Sequence, residues 1–439
     1  MSGIAEVLLN LGYRVSGSDL KNSAVTERLQ RLGVTIHIGH QPENAVGAQV
    51  VVTSTAVDAQ NAEVLYARRH GVPVIPRIEM LAELARLKYT IAIAGTHGKT
   101  TTTSMVASVM HAGGLDPTVI VGGRLRLFDS GAHLGQGEFM VAEADESDGS
   151  FLKLSPTLAI ITNIDNDHLD YYGTFERIQN AFVEYASRVP FYGCVVACMD
   201  DSPLRALLPR MTRRVVTYGI ETPARCRAAG LEVDAGGTWL DARWDDKPLG
   251  RIRLRVPGRH NVLNALASVV VGQELGISFP QIAEGLAQFE GVSRRMELKG
   301  ERGGISVIDD YGHHPTEIRA TLQALRERYP SRRLVVLFQP HRYSRTQTLS
   351  NEFAASFQQA DRVWILDIYA AGEKPIDGVS SSLIINAMKN AHAAAKALPA
   401  AAGLEELAND LKTGDVVVTL GAGDVWKWGE ALLEKIPVS

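Results

Sequence analysis

Cysteine is scarce in this 439-residue chain: three occur, an odd number that does not suggest a disulfide framework and fits a reducing compartment, the cytoplasm. Cys194 and Cys198 share one apolar run with no second Cys/His pair nearby, so they read as small buried hydrophobes and not as zinc ligands. An excess of positive charge is also missing. Lys plus Arg is 45 against 49 for Asp plus Glu, a net −4, which removes the bulk argument for nucleic acid or anionic lipid as partner. No stretch nears the ~20 uninterrupted apolar residues of a membrane span. The N-terminus lacks the charged region and apolar core of a signal peptide. No repeat of about 20–50 residues is visible. What remains is an ordinary globular composition, 45% hydrophobic and 21% charged. At roughly 150 residues per domain, its length implies about three domains.

Hydrophobic periodicity divides the chain accordingly. In residues 1–88, strands at Tyr13–Ser16, Val34–Ile38, Val50–Ser54 and Val72–Ile75 alternate with helices at Ala24–Leu32, Ala62–His70 and Ile78–Leu87. That alternation predicts a parallel sheet covered on both faces. Residues 89–293 form a second α/β block, with strands at Thr90–Ala94, Phe139–Ala144, Leu158–Asn163, Cys194–Cys198 and Val215–Tyr218. Alternating residues over Gly230–Val256 predict antiparallel hairpins added to it, and His260–Leu275 predicts a helix. Residues 294–439 resume the alternation: strands at Ser306–Asp310, Leu334–Phe338, Arg362–Leu366 and Val416–Leu420, helices near 315–328, 350–359 and 403–412. The Ala-rich tract Ala391–Ala402 predicts a helix up to about Leu398.

The sharpest motif is Gly95-Thr96-His97-Gly98-Lys99-Thr100-Thr101, where a buried strand turns into a helix. Such a turn and the helix N-terminus offer backbone N–H groups to phosphate oxygens. Lys99 would reach the terminal phosphates of a nucleotide and the Thr100 hydroxyl would complete a Mg²⁺ shell. The standard pattern has a glycine where Ile93 stands, so this is a shortened variant. A second apolar strand ends in Glu143-Ala144-Asp145-Glu146-Ser147-Asp148, and Glu143 is the metal candidate. Asp145, Glu146 and Asp148, taken singly, read equally well as solvated loop or cap. His168, past a third strand in Thr162–Asp170, reads either as a ligand for a second cation or a phosphate or as a hydrogen-bonded loop residue, and the phosphate loop tips it toward the first.

Two polar clusters follow successive strands further on: Asp309-Asp310-Tyr311-Gly312-His313-His314-Pro315 and Gln339-Pro340-His341-Arg342-Tyr343-Ser344-Arg345-Thr346. Arg342 and Arg345 suit bidentate binding of a carboxylate, and strand ends are where open α/β sheets bind small ligands. Gly421-Ala422-Gly423 reads as a tight strand-to-helix turn.

Taken in order, these segments resemble the Mur ligases of peptidoglycan synthesis, to about residue 429. The specific pieces are Gly95–Thr101, Glu143–Ser147, Arg259–Ala265, Asp309–Pro315 and Phe338–Arg345. The resemblance implies a Rossmann-like first domain for a UDP-sugar (1–88), a P-loop ATPase-type central domain (89–293) and a Rossmann-like C-terminal domain for the amino acid (294–439). It implies ATP and Mg²⁺ as cofactors, held by Gly95–Thr101 with Glu143 and His168 at the metal. Asn261 and Asn264 would lie on the adenine side and Arg295 near the γ-phosphate, with Lys99, Glu143, His168 and Arg295 as the catalytic set. Asp310, Tyr311, His313, Arg342 and Arg345 would line the amino-acid site, and Ser54, Thr55 and Arg77 would meet the UDP-sugar.

The activity implied joins L-alanine to the lactyl carboxylate of UDP-N-acetylmuramate, by a cytoplasmic monomer or weak homodimer. Sibling ligases for later residues use a modified lysine, and residues 169–190 contain none, which agrees with the alanine-adding branch. The family's first domain opens with a strand and a glycine-rich loop ahead of a segment like Met1–Ala5, and the chain starts after them. Two alternatives stay open: a recycling ligase that attaches a tripeptide to the same sugar, and a nucleotide-binding fragment impaired in catalysis.

Overall fold

The computed structural model describes residues 1–54, 56–125, 130–234, 236–389, 395–398 and 403–436. They form two compact units. One comprises Met1–Gly230, Leu240–Arg253 and Leu263–Phe289, the other Leu231–Trp239, Leu254–Val262 and Glu290–Ser439.

The first unit begins with the helix Ser2–Asn10, then β1 (Ser16–Asp19), β2 (Thr35–Ile38), β3 (Val51–Thr53) and β4 (Val74–Pro76), with helices Ala24–Arg31, Ala62–Arg69 and Arg77–Arg86 between or after them. Helix starts follow capping chemistry: Ser23 accepts from the Thr26 N–H, and Asn61 from those of Glu63 and Val64. The expected single sheet is not formed among the described residues. β1 pairs with β2 and β3 with β4, both in parallel, as two separate two-stranded sheets. The strand expected at Tyr13–Ser16 lies at Ser16–Asp19 instead. Tyr13 is exposed, and the polar Ser-Gly-Ser-Asp run is selected by backbone pairing to Thr35–Ile38, not by apolar side chains.

A ten-stranded sheet follows: β5 (Tyr89–Ala94), β6 (Thr118–Leu125), β7 (Ser130–His133), β8 (Phe139–Glu143), β9 (Leu158–Ile161), β10 (Cys194–Cys198), β11 (Val215–Gly219), β12 (Cys226–Asp234), β13 (Gly237–Trp244) and β14 (Lys247–Leu254). Their order is β14-β13-β12-β11-β10-β9-β5-β8-β6-β7. β5 runs parallel to both neighbours, β8 and β9, so the carboxyl ends of all three meet at one edge. β9 and β10 are buried throughout as apolar runs, the pattern of strands covered on both faces. β12–β14 supply the expected hairpin region. Asp245 and Asp246 take positive φ (46° and 61°), as the two-residue turn between β13 and β14 requires. β6 and β7 lie outside the strands read from sequence, and Gly122-Gly123 interrupts any apolar pattern there.

In the second unit, β15 (Glu297–Arg302), β16 (Ile305–Asp310), β17 (Leu334–Phe338), β18 (Arg362–Ile365), β19 (Ala395–Ala397) and β20 (Val416–Leu420) form a sheet ordered β15-β16-β20-β17-β18-β19. β15 is antiparallel to β16 and the rest are parallel. Side chains alternate between two cores. Leu334, Val336 and Phe338 face one with Ile318 and Phe353, while Val335 and Leu337 face the other with Trp364 and Leu432. Two expectations change here. The helix near 350–359 is α-helical over Ser350–Ala354 and tightens to 3₁₀ over Ala355–Phe357. In the Ala-rich tract, Ala395–Ala397 is an edge strand paired with Val363–Ile365, so sheet pairing overrides alanine's helix propensity; residues 391–394 and 399–402 lie outside the described residues.

Candidate active site

The phosphate loop leaves β5 at Ala94 and enters the helix Lys99–Ala112. Gly95 and Gly98 hold positive φ, 130° and 83°. A Cβ on Gly95 would stand 2.1 Å from Thr162 Oγ1, and one on Gly98 2.9 Å from Asn264 Oδ1, so both conformation and space demand glycine. The segment after β9 laces the loop in place. Asn163 Oδ1 accepts from the His97 N–H (2.9 Å) and its Nδ2 donates to the His97 carbonyl (3.0 Å). Thr162 Oγ1 donates to that carbonyl (2.6 Å), and the Thr96 N–H donates to the Asn163 carbonyl (3.1 Å). The His97 imidazole meets Asp165 at 2.9 Å. These contacts occupy the N–H groups of Thr96 and His97, leaving the helix's first turn as the part of the loop suited to phosphate. Thr162 and Asn163 were legible only as members of a polar strand end, and nothing in their spacing marks them as clamps.

Lys99 folds back over this turn. Its Nζ donates to the carbonyls of Gly95 (2.7 Å) and Thr96 (3.2 Å) and to both carboxylate oxygens of Glu146 (2.9 and 2.8 Å). Burial works to lower its pKa, but Glu146, Asp145 and Glu143 outweigh it and hold the ammonium above its ordinary 10.5. Glu143 ends β8 beside this cluster. Glu146, one of the carboxylates that read as solvated loop, is buried and is the partner of Lys99, with His168 Nε2 3.7 Å away. His168 sits at positive φ, 57°, at the start of a short helix. Asn264 accepts from Thr102 Oγ1 (3.1 Å) and so stands by the loop, whereas Asn261 donates to the Pro257 carbonyl (2.7 Å).

Asp201 underpins the clamp from β10. Its Oδ1 accepts from the N–H groups of Ile164 (3.3 Å) and Leu204 (2.8 Å). Burial pushes its pKa from 3.8 up to about 6, against those two bonds. Between these values the folded chain binds more protons than the unfolded one, so stability falls as pH rises from about 4 to 6. Asp201→Asn keeps an Oδ1 for both N–H groups. It is expected to flatten that fall by about 2 kcal/mol, measured by urea unfolding at the two pH values; equal slopes in both proteins would count against the shift.

In the second unit, β16 delivers Asp309 and Asp310, and both hold the surrounding chain by hydrogen bonds. Asp310 accepts from the N–H groups of Gly312 (2.7 Å) and Met296 (2.8 Å), and burial raises its pKa to about 6. Asp309 takes Arg294 Nε at 2.9 Å. Arg294 also donates to the carbonyls of Gly421 (2.7 Å) and Gly423 (3.1 Å), fastening the Gly-x-Gly turn. The sequence reading had no role for Arg294. Arg295 pairs with Glu317 at 3.2 Å, and the Tyr311 ring lies 5.1 and 5.2 Å from the guanidinium carbons of Arg294 and Arg295. His313, His341, Tyr369 and Arg345 converge. His313 and His341 rings are 5.4 Å apart, His341 stacks on Tyr369 at 5.7 Å, and Arg345 reaches His341 Nδ1 at 3.3 Å. Burial drives the His313 pKa down to about 3 against the pull of the Glu317 carboxylate, and the nearby Arg345 guanidinium adds to the fall, so it is a neutral imidazole. Arg342 begins the next helix at positive φ (71°), its N–H held by the Tyr369 carbonyl. Tyr369 and His341 complete a cluster whose sequence-read members were His313, Arg342 and Arg345.

Near the N-terminus, Ser54 and Arg77 follow the paired ends of β3 and β4, where Thr53 lies opposite Pro76, so they are neighbours at one sheet end. Thr55 lies outside the described residues. No helix among the described residues is long and apolar enough to cross a membrane.

Comparison with known proteins matches three profiles in succession: Mur ligase family, catalytic domain, over residues 1–89; Mur ligase middle domain, over 93–272; and Mur ligase, glutamate ligase domain, over 294–423. A UDP-N-acetylmuramate–L-alanine ligase of Endomicrobium trichonymphae is 54% identical over 99% of this chain and 96% of its own length. Among solved structures, a UDP-N-acetylmuramate-alanine ligase from Thermotoga maritima superposes with a TM-score of 0.81 at 31% identity, covering 99% and 96% of the two chains. A murein peptide ligase from Psychrobacter arcticus gives 0.71 at 25% identity, covering 99% and 96%. With all three profiles in order and relatives this similar along its whole length, the chain belongs to the Mur ligase family.

Proposed function

We propose that the chain is an ATP-dependent ligase joining L-alanine to the lactyl carboxylate of UDP-N-acetylmuramate, with ADP and phosphate as the other products. The observation that carries this is the 54% identity, over 99% of the chain, to a ligase of that name. The loop around Lys99 supports the ATP half and the His313–Arg345 cluster the amino-acid half. It works in the cytoplasm, as a monomer or weak homodimer, with residues 1–88, 89–293 and 294–439 serving UDP-sugar, ATP and amino acid.

A carboxylate resists attack by an amine, so it must first be activated. The lactyl carboxylate takes the γ-phosphoryl group of ATP, the alanine amine attacks the resulting acyl phosphate, and the tetrahedral adduct expels phosphate. Lys99 and the first-turn N–H groups of its helix bind and orient the phosphates, while Arg295 neutralises charge on the transferred group. Ser54 and Arg77 hold the UDP-sugar. Arg342 and Arg345 fix the alanine carboxylate, and the neutral His313 adds no competing charge there. Three carboxylates gathered about the phosphate loop, Glu143, Asp145 and Glu146, suit a hard divalent cation. Thr100, Glu143 and His168 would hold Mg²⁺, which when bound screens the phosphate oxygens.

Phosphate release by the purified chain with ATP, UDP-N-acetylmuramate and either L-alanine or the tripeptide tests this. Release with L-alanine supports the proposal; release with the tripeptide alone identifies the recycling ligase, and no substrate-dependent release leaves only a nucleotide binder. The clamp adds a second expectation. Asn163→Ala loses two hydrogen bonds of about 1 kcal/mol each. It should raise the KM for ATP about tenfold and leave the KM for L-alanine unchanged; an unchanged KM for ATP would show that the loop holds itself.

A further inference from the structure

The scheme above counts Glu146 among the carboxylates about the phosphate loop but leaves its pairing with Lys99 unexplained. The Glu146 carboxylate is 1% exposed, and both its oxygens lie within 2.9 Å of Lys99 Nζ. The residue is fixed from behind as well, its carbonyl accepting from the Tyr172 hydroxyl at 2.6 Å. An ammonium has three N–H donors. Lys99 already spreads its three over four acceptors, the two Glu146 oxygens and the carbonyls of Gly95 and Thr96. Turning toward a nucleotide's phosphates therefore takes donors away from these four acceptors, of which the two Glu146 oxygens alone carry charge. A carboxylate this buried is strongly disfavoured without a counter-cation. The imidazole nearest to it, His168, stands 3.7 Å off, beyond hydrogen-bond reach.

We propose that Glu146 is a positioning residue that exchanges its Lys99 partner for a divalent cation when nucleotide binds, so that cation and nucleotide binding are coupled through this one carboxylate. The inference rests on the ATP-dependent reading of the loop. It gives Glu146 a part distinct from that of Glu143: Glu146 holds Lys99 over the loop and makes its release conditional on a replacement charge. A nucleotide arriving without the cation must strand Glu146; one arriving with it need not.

The test is the affinity for a fluorescent ADP analogue, measured in Mg²⁺ and in EDTA, for the full chain and for Glu146→Gln. The wild-type chain is expected to bind more tightly in Mg²⁺, and the Gln variant to shrink that ratio by about tenfold, chiefly by tighter binding in EDTA. An undiminished ratio in the Gln variant overturns the exchange while leaving the ATP reading intact. Wild-type chain that binds no nucleotide under either condition overturns the ATP reading itself. Should the Gln chain not fold, the charge-preserving Glu146→Asp takes its place. It should keep a ratio within about threefold of wild type, and a collapse of the ratio there overturns charge as the cause.

Discussion

Lys99→Met is expected to lower kcat/KM for ATP by about 10³-fold and to destabilise the nucleotide-free chain by about 3–5 kcal/mol. The two losses have separate origins. The first is the missing cation opposite the phosphates. The second is the Glu146 carboxylate, left buried with no ammonium between its oxygens. A Lys99→Met/Glu146→Gln chain should therefore regain most of the stability and none of the activity, which separates the two effects in one comparison of urea midpoints and rates. The pH dependence has a definite sign. Because the carboxylates outweigh burial and hold the Lys99 pKa above 10.5, its stabilisation is full below that value and disappears as pH rises through the raised one. The single variant should lack that alkaline limb. A single variant as stable as wild type at neutral pH would mean that Glu146 finds another partner.

Arg294→Ala is expected to cost about 3–5 kcal/mol of stability, again because a charge is left behind. Arg294 is tied to Asp309 at 2.9 Å and to the carbonyls of Gly421 and Gly423 at 2.7 and 3.1 Å. Asp309 is fully buried and, among the described residues, would keep for its side chain the 2.6 Å bond from Thr419 Oγ1. Arg294→Lys keeps the charge but cannot serve three acceptors in a planar fork, so it should fall between wild type and Ala. Guanidinium unfolding followed by tryptophan fluorescence reads this through Trp364, which lies in the core of the same unit. A loss under about 1 kcal/mol in the Ala variant would show that the turn is held by its glycines alone.

What the sequence disclosed and what it withheld follow one physical line. Runs such as Cys194–Cys198 and Leu334–Phe338 are buried at every position and their apolar composition marks them from end to end, and Val416–Leu420 departs from this only at the buried Thr419. Ser16–Asp19 is a strand made of polar residues, selected by a partner and not by its own hydrophobicity, so no periodicity announces it. The same division holds at the site. Gly95–Thr101 carries its chemistry in local order, because turn, lysine and helix start are consecutive. Glu146, Asn163 and Arg294 act on residues 47, 66 and 127–129 positions away, and side chains of their types are common at any loop. Their work depends on which strand ends lie side by side. Glu146 is the plainest case: one of three acids just after β8, set apart from its neighbours only by where Lys99 comes to rest.

The position of β20 bears on how the second unit is made. It is the last of the described strands along the chain yet lies inside the sheet, between β16 and β17. A ribosome delivers β16 and β17 long before the strand that joins them. Until residue 420 emerges, both present open edges and half of each apolar core. Arg294 likewise waits for carbonyls made 127 and 129 residues later. Folding of this unit is thus held until residue 420 has been made and is dominated by contacts distant along the chain, the regime of slow folding and exposure to aggregation. The contacts among Gly95–Lys99, Glu146 and Asn163 in the first unit span a shorter stretch, all of it present once residue 163 has been made, with Asp201 and Asn264 joining later.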